Sequence, residues 1–109
     1  MPYPRLHDDG RYVTLDLHGA TRSQARQLIP RVLQEALNRG RDRVQIIHGY
    51  STANSPQGSI KSDLYEMIDS GVLDEYYVSI TYDEGSCTLG LPLSLSPDPS
   101  PITWQDLQD

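Results

Sequence analysis

The sequence has a single cysteine in 109 residues. Cys87 has no partner for an internal disulfide and cannot supply a Cys-based metal cluster, so a disulfide scaffold and a zinc ribbon are both excluded. No stretch approaches the roughly 18 consecutive apolar residues of a membrane span. The opening MPYPRLHDDG lacks the basic and apolar blocks of a signal peptide. The expected address is therefore the cytoplasm, with no membrane partner. Basic residues are missing from positions 62–109: all nine Lys and Arg lie in the first 61 positions, with five acids, and ten acids follow. The net charge of −6 argues against nonspecific coating of DNA, and any polyanion must approach the first half. No internal repeat is present, and the length allows one small domain.

What is present is enough Leu, Ile and Val, 25 residues, for one thin core. Residues 1–11, with two prolines and an Asp pair, read as a flexible arm. From Tyr12 to His18 the chain alternates, Val13, Leu15 and Leu17 sharing one face, as a half-buried strand does. Thr21 with Gln24 three residues on forms a capping box. The apolar stripe Ala25, Leu28, Ile29, Val32, Leu33, Ala36 and Leu37 then predicts a helix ending near Gly40, kinked rather than broken at Pro30. Val44–His48 reads as a buried parallel strand, residues 49–58 as an exposed loop, and Ser59 as the cap of a second helix ending at Gly71. Tyr76–Tyr82 and Cys87–Leu93 read as an antiparallel hairpin. The order βαβαββ predicts an α/β domain over 12–93, a mixed four-stranded sheet with both helices on one face. Residues 94–109 read as a Pro-rich acidic tail.

Two His-Gly pairs, His18-Gly19 and His48-Gly49, each close a predicted parallel strand and lead into a helix. Open α/β sheets bind ligands at that rim, where helix N-termini favour phosphate. A single such histidine is commonly structural; two at equivalent positions point to a site. Asp16 can orient an imidazole or bind a cation, and Arg22 and Lys61, in the first helical turns, can meet a phosphate.

The segments LDLHGATRSQA, VQIIHGYSTANSPQGSIKSDL and EGSCTLGLPL together resemble the Smr (small MutS-related) domain family across roughly residues 13–93. Leu15, Asp16, Leu17, His18 and Gly19 match its Leu-Asp-x-His-Gly motif. His48, Gly49 and Tyr50 match His-Gly-x-Gly, where Ser51 stands in place of the second glycine, and Ile60-Lys61 matches the pair opening the second helix. The resemblance implies a fold like the C-terminal domain of translation initiation factor 3 and endonuclease activity on RNA or DNA, in some members at ribosomes. Carried over, Asp16, His18 and His48 are the candidate catalytic residues. Gly19, Arg22, Gly49, Tyr50, Ser51 and Lys61 are the candidates for holding phosphate or nucleic acid. Cleavage of RNA through its 2′-hydroxyl needs no cofactor; cleavage of DNA would need activated water and calls for a cation such as Mg2+. One carboxylate near the site is meagre for a Mg2+ cage. The alternative, which Ser51 and the acidic charge favour, is a noncatalytic module binding nucleic acid, a ribosome or a protein.

Overall fold

The computed structural model describes residues 4–49 and 59–108. Its elements are β1 (Arg5–Asp8), β2 (Tyr12–Asp16), α1 (Arg22–Asn38), β3 (Arg43–Ile47), α2 (Ile60–Ser70), β4 (Ser79–Tyr82) and β5 (Ser86–Gly90), followed by a 3-10 turn at Trp104–Leu107. The strands lie in the order β1-β2-β3-β5-β4, with β2 and β3 parallel and the other neighbours antiparallel. The α/β expectation holds, and β1 adds a fifth strand to the four expected.

Strand periodicity decides which face is buried. Register sets Val13 beside Val44 and Leu15 beside Ile46, then Val44 beside Leu89 and Ile46 beside Cys87. All six are buried on one face. There they meet Ala25, Ile29, Val32, Leu33 and Ala36 of α1 and Ile60, Leu64 and Ile68 of α2. The alternate residues, among them Tyr12, Thr14, Arg43, Gln45 and Thr88, make the opposite face, which no described helix covers.

Both helices begin as the capping signals predict. The Thr21 side chain accepts the Gln24 N–H while Gln24 accepts the Thr21 N–H, and Ser59 and Ser62 repeat the exchange at α2. α1 runs through Pro30 unbroken. α2 stops at Gly71, whose φ of +86° is readily accessible only without a Cβ.

The largest departures are at the ends. The segment read as an arm supplies β1, and Leu6 pairs with Leu15 at the sheet edge. Two glycine- and aspartate-rich turns hid this short strand: Asp8 accepts the Gly10 N–H, and Asp9 those of Arg11 and Tyr12. Asp8 faces inward, where it and Arg41 form a fully buried ion pair at 2.8 Å. Arg41 also donates to the carbonyls of Arg39, Asp98 and Ser100, and Asp8 accepts the Ile102 N–H. The segment read as a tail is thereby folded onto the domain, burying Ile102 and Leu107, the latter against α1. At the hairpin, β4 starts at Ser79 rather than Tyr76, because Leu73 plugs the core and turns occupy residues 71–76.

Candidate functional site

The parallel pairing of β2 and β3 brings the two His-Gly pairs together. The Leu17 N–H donates to the Ile47 carbonyl at 2.7 Å, continuing the ladder past the strand ends. Gly19 and Gly49 both turn left-handed, with φ of +82° and +80°. A Cβ on Gly49 would lie 3.0 Å from the His18 Cβ, so the second motif's glycine lets the two loops touch. Gly49→Ala should therefore cost about 1–2 kcal/mol in backbone strain and also displace His18. Gly10→Ala carries the same kind of strain at φ +99° with open space around it. It should lower the melting temperature comparably while leaving function alone, a contrast that paired thermal and activity measurements would check.

His18 is half-exposed at the rim. Its Nδ1 is 2.6 Å from Asp16 Oδ1, which also accepts the His18 backbone N–H. A carboxylate there holds the proton on Nδ1 and makes Nε2 the basic nitrogen. The two residues that the first motif separates by one position thus form an Asp-His pair.

His48 is different. It is 6% exposed, its Nδ1 donates to the Gly49 carbonyl, and among the described residues its buried Nε2 has no hydrogen-bond partner. Its ring meets Tyr65 edge-on at 6.1 Å, and Tyr65 meets Tyr82 at 5.2 Å. Burial pushes the imidazole below its ordinary value and the Lys61 charge pushes the same way, outweighing the opposing influence of the Gly49 and Ser86 backbone. The folded state therefore resists protonation that the unfolded chain accepts. As pH falls below about 6.5, the usual histidine value, His48 should cost stability progressively until the pH reaches its lowered folded value. Melting temperature followed from pH 7 to 5 should fall more steeply for the parent than for His48→Gln.

A cleft opens beside these residues, lined by His18, Gly19, Gln45, Ile47, His48, Gly49 and the β4-β5 turn Asp83–Ser86. The turn is held there because the Gly85 carbonyl accepts both the His48 and Gly49 N–H groups. Asp83 and Glu84 bring further carboxylates to a rim expected to hold Asp16 alone. Even so, no three His, Cys, Asp or Glu side chains converge on a metal-sized site among the described residues.

The remaining candidates divide. Lys61 lies in the first turn of α2 with its ammonium 5.6 Å from the Tyr65 ring centre, on the His48 side. Arg22 is engaged elsewhere: its Nε and Nη2 grip the buried Asp63 at 2.7 Å, and Arg26 adds 2.9 Å. Those hydrogen bonds, Arg22 first, hold the Asp63 carboxyl below its ordinary value against the opposing effect of burial. Two arginines at i and i+4 opposing the dipole of α1, facing an acid in the first turn of α2, are a helix-helix clasp. Tyr50 and Ser51 lie outside the described residues, as does the loop expected over 50–58.

The Smr domain model matches residues 15–85, well over half of the chain, and its span takes in both His-Gly pairs, α1, α2 and the β4-β5 turn. No curated protein and no solved structure matches. The chain belongs to the Smr domain family, a family of nuclease and nucleic-acid-binding modules.

Proposed function

We propose that this domain is an endonuclease that cleaves RNA without a metal, with His18 as general base. The observation that carries the reading is the 2.6 Å contact between Asp16 and His18 Nδ1 at the mouth of the cleft. Asp16 fixes the tautomer, and Nε2 takes the proton of a 2′-hydroxyl as its oxygen attacks phosphorus. The bond to the 5′-oxygen breaks, that oxygen takes a proton from solvent, and a 2′,3′-cyclic phosphate is left. Lys61 supplies positive charge near the developing phosphorane. His48, kept neutral by burial, is a positioning residue: through the Gly49 turn it sets where His18 stands.

A second reading has its own observation. Asp83 and Glu84 line the cleft and repel phosphate, as a noncatalytic module binding a protein or ribosome would tolerate. Substituting one 2′-deoxynucleotide into a short single-stranded RNA separates the two. The nuclease reading expects cleavage at neighbouring linkages and none 3′ to the deoxynucleotide. Cleavage there would contradict the 2′-hydroxyl mechanism, and an intact RNA throughout would favour the module.

A further inference from the structure

The cleft opens toward the uncovered face of the sheet: of its lining, Gln45, Ile47 and Ser86 are residues of β3 and β5 that point to that side. From Ile47, β3 leads back along the same face through Gln45 to Arg43. At that end the Arg43 guanidinium lies 4.9 Å from the centre of the Tyr12 ring, and Arg11 lies 5.9 Å from it. Tyr12 is 42% exposed. Between the two ends the face carries the uncharged polar residues Thr14, Gln45, Thr81 and Thr88, and exposed Leu93 adds an apolar side chain beside Tyr12 and Arg43.

Charge is segregated to match. Arg5 and Arg43 belong to this side of the sheet, where Asp42 is paired with Arg11 and Asp16 with His18; Asp83 and Glu84 stand at the cleft end, the end of β3 opposite Arg43. The surplus acids Glu66, Asp69, Asp74 and Glu75 lie on and just after α2, in the helical layer. A protein of net charge −6 thus carries an arginine and an exposed tyrosine together at one end of a sheet face that is continuous with its cleft.

We propose that this face is a track for a single RNA strand, which runs from the cleft down β3 and stacks a base against Tyr12 while Arg43 meets its phosphates. The inference rests on the nuclease reading for the identity of the strand. Arg43 to His48 at about 3.3 Å per residue is about 16 Å, a length of several nucleotides, so the track favours oligonucleotides over dinucleotides. A flat sheet with one stacked tyrosine reads π-faces and backbone charge, which is how sequence-tolerant binding to unpaired bases works.

The test is fluorescence anisotropy with a labelled single-stranded RNA, all proteins carrying His18→Ala to prevent turnover. Tyr12→Ala should weaken binding roughly 5- to 150-fold, the loss of one base-aromatic stack. Arg43→Ser should flatten the plot of log affinity against log salt by about 0.7 for one phosphate contact. Thr81→Glu on the open face and Gln34→Glu on the exposed side of α1 change net charge equally and remove no packing; only the first should weaken binding. If the parent binds and Tyr12→Ala and Thr81→Glu bind equally well, or if Gln34→Glu costs as much as Thr81→Glu, the track is wrong and the nuclease reading stands. Tighter binding of duplex than of single strand also overturns it. A parent that binds no RNA overturns both.

Discussion

Replacing His18 with alanine should lower RNA cleavage by about 10²–10⁴-fold, the usual contribution of a positioned acid-base group, with little change in melting temperature. The side chain is half-exposed at the rim, where its Nδ1 meets Asp16, so its removal leaves the core intact. Asp16→Asn should also cost activity, because an amide cannot hold the imidazole proton on Nδ1 as a carboxylate does. His48→Ala behaves differently. It removes a buried ring packed against Tyr65 and the hydrogen bond to Gly49, so its loss of activity should arrive together with a loss of stability. That split between His18 and His48, read from activity and melting temperature on the same samples, distinguishes the base from the residue that positions it.

The largest effect on stability should come from Asp8 and Arg41. Breaking a buried ion pair by removing one partner costs about 3–5 kcal/mol, and here each partner also organises backbone. Arg41→Met deprives the Arg39, Asp98 and Ser100 carbonyls of their donor, and Asp8→Asn leaves a fully buried guanidinium without its counter-charge. Either change should release residues 98–107 from the domain and be visible as a lower melting temperature with early proteolysis of that segment. The double change Asp8→Leu with Arg41→Met should recover part of the loss, since no uncompensated charge stays buried. The pair also sets an acid limit. Burial alone would raise the Asp8 carboxyl, but hydrogen bonds from Arg41, Gly10 and Ile102 outweigh it and hold it below its ordinary value. Its folded value being lowered, its contribution is present above the unfolded carboxylate range near 3.9 and is lost as pH falls through the folded value.

Asp8 also illustrates what the sequence conceals. Periodicity reads apolar residues, so Val13, Leu15, Val44, Ile46 and the α1 stripe reveal their strands and helix directly. A charged residue on the inward face is misread until its partner is known, and Arg41 lies 33 positions away. The four-residue β1 therefore reads as an arm, and the segment tied down by Arg41 as a tail. The candidate site was legible where chemistry is local: Asp16 and His18 are two apart, and both His-Gly pairs sit at strand ends. It was illegible where contacts are distant. Nothing in the spacing says that Arg22 will be claimed by Asp63, or that β5 inserts beside β3 and carries the Asp83–Gly85 turn to the histidines.

The most direct measurement is incubation of the purified chain with end-labelled single-stranded RNA in excess EDTA, beside His18→Ala, with the product ends identified. The account predicts cleavage by the parent alone, leaving 2′,3′-cyclic phosphate. An RNA left intact by the parent, or cut equally by both proteins, would contradict it.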